Sequence, residues 1–373
     1  MCYKNWANDT MKRIINKLEI TAPQIGASFP HATKDGIYTF EGSQFWTNGF
    51  WPGILWMAYQ YTNDEKFANI AKEIENKMDE VIDGFELLDH DMGFMWMLSS
   101  GANYMINADE KSKLRLLKVS SYLAGRFNPK GKFIRAWSWA KGQMIIDCMM
   151  NLALLYWATD ETQDPRFAHI AHAHLETTLK YSIRPDSSVN HVLEFDPQTG
   201  EFLYSLAGQG ATADSAWSRG ASWAVYGLAL AYRYFKEDEI LIKLKNVANF
   251  FIANLAEDNV AHWDFRVERN EDTPRDTSAA ACAACGLLEL SEHLPKEEAD
   301  MYREKAYKIL KSLTDIYSNL DNNAQSLLNG ATGACTYNQN INVGLIYADY
   351  FYMEGISRLC GNKDIFWYGH RNK

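Results

Sequence analysis

The chain has 373 residues, more than one ordinary domain holds, so either two domains or one repetitive architecture must account for its length. Hydrophobic residues make up 47% of it and aromatics 13%, which excludes a disordered chain and supplies a large core. A net charge of −10, with no long run of Lys or Arg, argues against the classes that need a basic face: nucleic-acid binding and docking on anionic membranes.

The opening stretch "MCYKNWANDTMKRIINKLEI" holds no apolar run of signal-peptide length, and no later segment is apolar for long enough to span a bilayer. A soluble, cytoplasmic chain is expected, or a periplasmic one if a leader once preceded it, as a monomer or weak homo-oligomer. Helical periodicity then predicts roughly twelve helices, at about 3–19, 48–62, 64–82, 91–107, 109–127, 142–159, 164–182, 216–236, 238–256, 276–293, 296–319 and 341–359.

Two types of helix alternate. "GFWPGILWMAYQY", "MIIDCMMNLALLYW", "SWAVYGLALAYRYF", "SAAACAACGLLEL" and "VGLIYADYFYMEGI" are apolar nearly all round and must be buried on every face. "DEKFANIAKEIENKMDEVI", "DPRFAHIAHAHLETTL" and "EEADMYREKAYKILKSL" are amphipathic and follow after short polar turns. The alternation is an internal repeat of about fifty residues, and pairing 3–19 with the last buried helix closes it at six pairs. An all-α (α/α)6 barrel is expected, one domain over 1–373. "SSVNHVLEFDPQTGEFLYSLAGQG" reads as a hairpin turned at "DPQTG", and "VAHWDFRV" as another short strand.

The six cysteines, including the pair in "CAAC" at 282–285, sit mostly in apolar helical contexts and read as reduced thiols that pack helix faces. His169, His172 and His174 fall on an outer amphipathic helix and read as a solvated face. No metal and no cofactor are expected.

In such a barrel the inner helices run one way, so their N-termini meet at one mouth. Those ends read "QFWTNGFW", "DHDMGF", "GQMIID", "ADSAWSRGASW" and "PRDTSA", and most of the unusual polar and aromatic residues fall there. Helix N-termini favour an anion, and Arg219 and Arg275 add fixed positive charge. Gln143, Asp147 and Asn151, spaced by four, form a polar stripe that either bonds internally or lines a cavity; a cavity is preferred. Burial there is expected to raise the pKa of Asp147, as suits a general acid. Asp91 stands near a helix start, where capping and a site role are both open, and Arg275 with Asp276 could form a cap and an ion pair. His90 and His191 lie in mouth segments and are the histidines best placed for a ligand. Trp46, Trp51, Trp137, Trp139, Trp217 and Trp223 concentrate at helix starts and loops, which suits core packing or sugar stacking.

"FWTNGFWPGILW", "LDHDMGF", "IIDCMMNLALLYW", "FDPQTGEF", "AWSRGASWAVYG", "WDF" and "RDTSAAACAACGLLEL", in this order, resemble the unsaturated glucuronyl hydrolases of glycoside hydrolase family 88. The resemblance implies an (α/α)6 barrel that acts on oligosaccharides left by polysaccharide lyases, with a 4,5-unsaturated uronate at the non-reducing end. It implies Asp147 as general acid and base, protonating C4 of the enol ether and then activating water for C5, with Asp91 as the second essential aspartate. His191, Gln209, Arg219 and Trp223 match positions lining the uronate subsite, and Trp46 and Trp137 match aromatic walls. Arg371 and Lys373 in the tail are candidate sulfate contacts. Three other readings stay open on the same barrel: a rhamnogalacturonyl hydrolase of pectin fragments, a sugar epimerase built on facing histidines, and a non-catalytic sugar-binding protein.

Overall fold

The computed structural model describes residues 2–84 and 87–369. Long apolar segments flanked by short polar turns fold into helical hairpins, each an inner helix followed by an outer one. The outer helix α1 (Cys2–Ile25) opens the chain and is followed by the inner α2 (Phe50–Thr62). The outer α3 (Glu65–Lys77) and α4 (Asp79–Asp83) precede the second inner segment, which is α5 (Met92–Trp96), a π-turn at Met97–Gly101 and α6 (Ala102–Asn107). Then come α7 (Glu110–Gly125, outer), α8 (Cys148–Asn151) with α9 (Ala153–Thr162, inner), and α10 (Arg166–Tyr181, outer). The last three inner helices are α11 (Ser218–Phe235), α13 (Thr277–Ser291) and α15 (Ile346–Cys360), with α12 (Asp238–Ala253) and α14 (Lys296–Ile316) outside. Helix α15 packs on α1, so the last hairpin is completed by the first helix.

The burial pattern follows the two helix types. Every residue of α13 is buried, as apolarity on all sides requires, whereas α3 and α14 bury one stripe only. One hydrophobic cluster runs from Ala7 to Tyr368. Six inner segments enclosed by six outer ones make an (α/α)6 barrel. Among the described residues, no helix is long and apolar enough to cross a membrane.

Short strands decorate the end of the barrel where the inner helices begin. β1 (Pro30–Lys34) and β2 (Ile37–Phe40) pair through a turn at Asp35 and Gly36, both with positive φ, which makes "DG" a strong hairpin signal that helical periodicity passes over. β3 (Phe127–Asn128) pairs with β4 (Phe133–Ile134). β5 (Gln143–Ile145), β6 (Val192–Phe195) and β7 (Phe202–Leu206) form a three-stranded antiparallel sheet. The expected hairpin is thus β6–β7, its turn held by the Asp196 carboxylate, which accepts from the N–H groups of Gln198 and Thr199. "VAHWDFRV" makes isolated bridges from His262 to Arg275 and from Asp264 to Trp217 rather than a strand.

One correction bears on the site. The helix expected over 142–159 begins only at Cys148, because Gln143, Met144 and Ile145 pair with Glu194, Leu193 and Val192 as strand β5. A short apolar run fits a buried strand as well as a helix, and the decisive partner, β6, lies far along the sequence. The polar stripe Gln143–Asp147–Asn151 therefore does not exist as one helical face.

Candidate active site

Asp147 occupies the N-cap position of α8, but its carboxylate makes no capping bond. Asp91 occupies the corresponding position of α5 and likewise caps nothing. A different residue does that work. The Asn151 side-chain oxygen accepts from the Phe94 N–H (2.8 Å) in the first turn of α5. Its amino group donates to the Asp91 carboxylate (3.0 Å) and to the backbone carbonyl of Asp147 (3.3 Å). One buried amide thus joins the two aspartate-bearing helix starts and leaves both carboxylates free of capping. Gly93 allows this contact: a Cβ there would lie 2.5 Å from the Asn151 Cα. Gln143 stands apart, donating to Glu194 across the β5–β6 pair (2.7 Å).

His191, at the start of β6, faces Asp147. Its Nδ1 accepts from the Gln209 N–H (2.8 Å), which fixes the proton of the neutral ring on Nε2. That Nε2 lies 3.5 Å from Asp147 Oδ2, an ion-pair spacing looser than a hydrogen bond. On its other side His191 packs at a tilt on Trp217 (ring centroids 4.3 Å), and the Arg219 guanidinium covers the same indole at 4.5 Å. Arg219 is 2% exposed and spent on the protein: it donates to Asp276 (2.7 Å), to Gln209 Oε1 (2.6 Å) and to the Thr332 carbonyl (2.6 Å). It reaches the site by its charge and by orienting Gln209, whose side-chain amino group has no protein partner among the described residues. Asp276 is both the cap of α13, accepting from the N–H groups of Ser278 and Ala279, and the partner of Arg219 rather than of Arg275, which pairs with Asp258.

The electrostatics of the two carboxyls differ. Burial opposes ionisation of Asp147, but His191, His90 and Arg219 outweigh it and hold the group below its ordinary value. The raised pKa expected for Asp147 is therefore corrected, since the groups responsible arrive from other hairpins. Burial, with the neighbouring carboxylates of Asp89 and Asp147, pushes Asp91 well above the carboxylate range despite the Asn151 bond. The two carboxyls are thus shifted in opposite directions, Asp91 toward holding a proton and Asp147 toward the anion.

Trp46 and Trp137 are half-buried at the mouth; Trp46 packs on Tyr347 (5.0 Å) and Phe94 (5.7 Å). Two expected contacts are corrected. His90 is fully enclosed behind Asp91, its Nε2 3.6 Å from Asp91 Oδ1, and burial drives its pKa down to about 3. Trp223 is also fully enclosed, packed on Phe94 and Phe351, and belongs to the core. His174 is not on a solvated face either: it is buried and accepts from the Ile134 N–H (2.9 Å). Trp217, read from sequence only as core packing or sugar stacking, and Asn151, read only as part of a polar stripe, join the site through contacts that sequence does not show. Arg371 and Lys373 lie outside the described residues.

The mouth of an (α/α)6 barrel thus holds two buried carboxyls with opposed pKa shifts beside half-buried tryptophans, an acid–base pair and aromatic surface of the kind a glycoside hydrolase uses. The family model described as Glycosyl Hydrolase Family 88 matches residues 21–359, and the chain belongs to that family. It is 36% identical to the unsaturated chondroitin disaccharide hydrolase of Streptococcus pneumoniae, over 98% of this chain and 94% of that protein. It is 34% identical to the unsaturated glucuronyl hydrolase of Bacillus sp. strain GL1, over 94% and 97%. The crystal structure of unsaturated glucuronyl hydrolase from Streptococcus agalactiae superposes with a TM-score of 0.92 at 33% identity, covering 98% of this chain and 94% of that one. An aspartate-to-asparagine variant of the same enzyme, complexed with dGlcA-GalNAc6S, superposes at 0.87 with 32% identity and the same coverage.

Proposed function

We propose that the chain releases a 4,5-unsaturated uronic acid from the non-reducing end of lyase-generated glycosaminoglycan oligosaccharides. The observation that carries this reading is the pair of buried carboxyls at the two helix starts joined by Asn151, one shifted up and the other down in pKa, beside the His191 Nε2–H and a fixed Arg219 charge. The family relatives support the substrate class. The anionic substrate must overcome a chain charge of −10, and helix N-termini with Arg219 supply the local positive field that does so.

The uronate carboxylate is received by the unpaired Gln209 amino group. It brings a further negative charge against Asp147, offsetting the hold of His191, His90 and Arg219 and raising the Asp147 pKa, so that the proton of the pair moves to Asp147. Asp147 delivers it to C4; the C4–C5 double bond is lost and C5 becomes an oxocarbenium carbon. The Asp147 carboxylate then takes a proton from water as its oxygen bonds to C5. The resulting hemiketal opens by breaking the bond from C5 to the ring oxygen, giving a C5 ketone and a hemiacetal at C1, which collapses to an aldehyde and expels the remaining sugar. Ordinary glycoside hydrolysis instead attacks C1 with two carboxyls flanking the glycosidic bond.

Turnover in D2O tests the assignment. One deuterium at a single C4 position of the product, read by mass spectrometry and proton NMR at early times, is expected. A product whose C4=C5 bond survives would mean that attack occurs at C1.

A further inference from the structure

On the functional reading above, we infer that Trp139 is the platform of an outer saccharide subsite, one sugar beyond the leaving-group residue. The enzyme then grips chains longer than a disaccharide.

Trp139 is the most exposed large apolar side chain among the described residues, at 76%. Its ring lies parallel to Trp137, at 5.1 Å between centroids and 8° between planes, which leaves its second face to solvent. Trp137 in turn sets its ring edge-on to His90 at 6.4 Å, and His90 stands 3.6 Å from the Asp91 carboxylate. Trp139, Trp137 and the enclosed His90 thus form a ladder of ring contacts that ties the exposed indole to the segment carrying Asp91.

The ladder is anchored to the catalytic loop. The Arg126 guanidinium donates to the Leu88 carbonyl (2.9 Å) on one side, and to the carbonyls of Arg135 (3.0 Å) and Ala136 (2.9 Å) and the Ser138 hydroxyl (3.4 Å) on the other. The His90 N–H donates to the Ala136 carbonyl (3.1 Å). The loop carrying both tryptophans is thus riveted to the loop carrying Asp91. An exposed indole held rigidly at a fixed distance from the carboxyls costs little to order on binding, and its bare face suits the apolar C–H face of a sugar. If Trp139 served only to shield Trp137, chain length would not matter to it.

The test is the steady-state kinetics of Trp139→Ala in the full chain on unsulfated unsaturated chondroitin disaccharide and tetrasaccharide, with Trp139→Tyr as the conservative control. The expected result is a rise of about five- to tenfold in the tetrasaccharide KM, the size of one aromatic stacking contact, with kcat kept and the disaccharide unaffected. Trp139→Tyr should restore most of it. An equal loss on both lengths would overturn the subsite in favour of a shield, and no change on either would overturn it outright. Inactivity of the unsubstituted enzyme on both would instead sink the functional reading, and the subsite with it.

Discussion

Asn151 decides how far the two carboxyls can act together. It bridges Asp91, the Asp147 backbone and the first turn of α5 from a fully buried position. Asn151→Ala would leave the Phe94 N–H unpaired and cost about 1–3 kcal/mol of stability. It would also lower kcat by about a hundredfold, because sub-ångström placement of the acid is lost. Thermal unfolding and steady-state kinetics check the two effects separately; a KM that rises while kcat stays would show Asn151 holding substrate instead. The opposed shifts of Asp91 and Asp147 also predict a pH signature. The pair must carry one proton, so activity falls as pH rises through the pKa that holds it. Bound uronate raises that value, and the alkaline limb of kcat should lie at higher pH than that of kcat/KM. Coincident limbs would mean that substrate does not alter the pair.

At the scale of elements, the site depends on close seating of α5 against α8. A Cβ at Gly93 would meet the Asn151 Cα at 2.5 Å and its Oδ1 at 2.7 Å, so Gly93→Ala must part the two helix starts. A loss of about 1–3 kcal/mol by chemical denaturation is expected, with activity lost out of proportion although Gly93 carries no chemistry. The far ends of the inner helices carry a different device. Glu289 near the end of α13 is fully buried and binds Arg358 (2.9 Å), Arg233 (2.6 Å), His293 (3.2 Å) and the Tyr368 hydroxyl. Burial works against its charge, but these partners hold its pKa well below the ordinary range. Its contribution to stability is therefore present above about pH 4 and fades as pH falls. Glu289→Gln should cost about 3–5 kcal/mol at neutral pH by leaving buried guanidinium charge uncompensated, and the variant should show a weaker pH dependence in urea titrations.

For the molecule as a whole, the helical alternation was legible because burial on every face leaves a compositional mark that "SAAACAACGLLEL" carries and "EEADMYREKAYKILKSL" does not. The mouth was legible for the same reason, since parallel inner helices must begin at one end. What escaped were features set by distant partners. Strand β5 is a strand only because β6 lies beside it, and the Asp147 pKa is lowered against its burial only because His191, His90 and Arg219 arrive from elsewhere in the chain. Trp217 suited core packing or sugar stacking by position alone, and its local sequence does not signal that His191 and Arg219 sit on its ring. Asn151 was visible as an oddity, but its bond to Asp91 crosses between hairpins and has no local signature.

Protonation of carbon by Asp147 is read out most directly by the ultraviolet absorbance of the conjugated C4=C5 bond in unsaturated chondroitin and hyaluronan disaccharides. The unsubstituted enzyme should erase that absorbance, and Asp147→Asn, correctly folded by circular dichroism, should leave it intact. Absorbance that persists on every such substrate, or an Asp147→Asn variant as fast as the parent, would show that Asp147 is not the proton donor to C4.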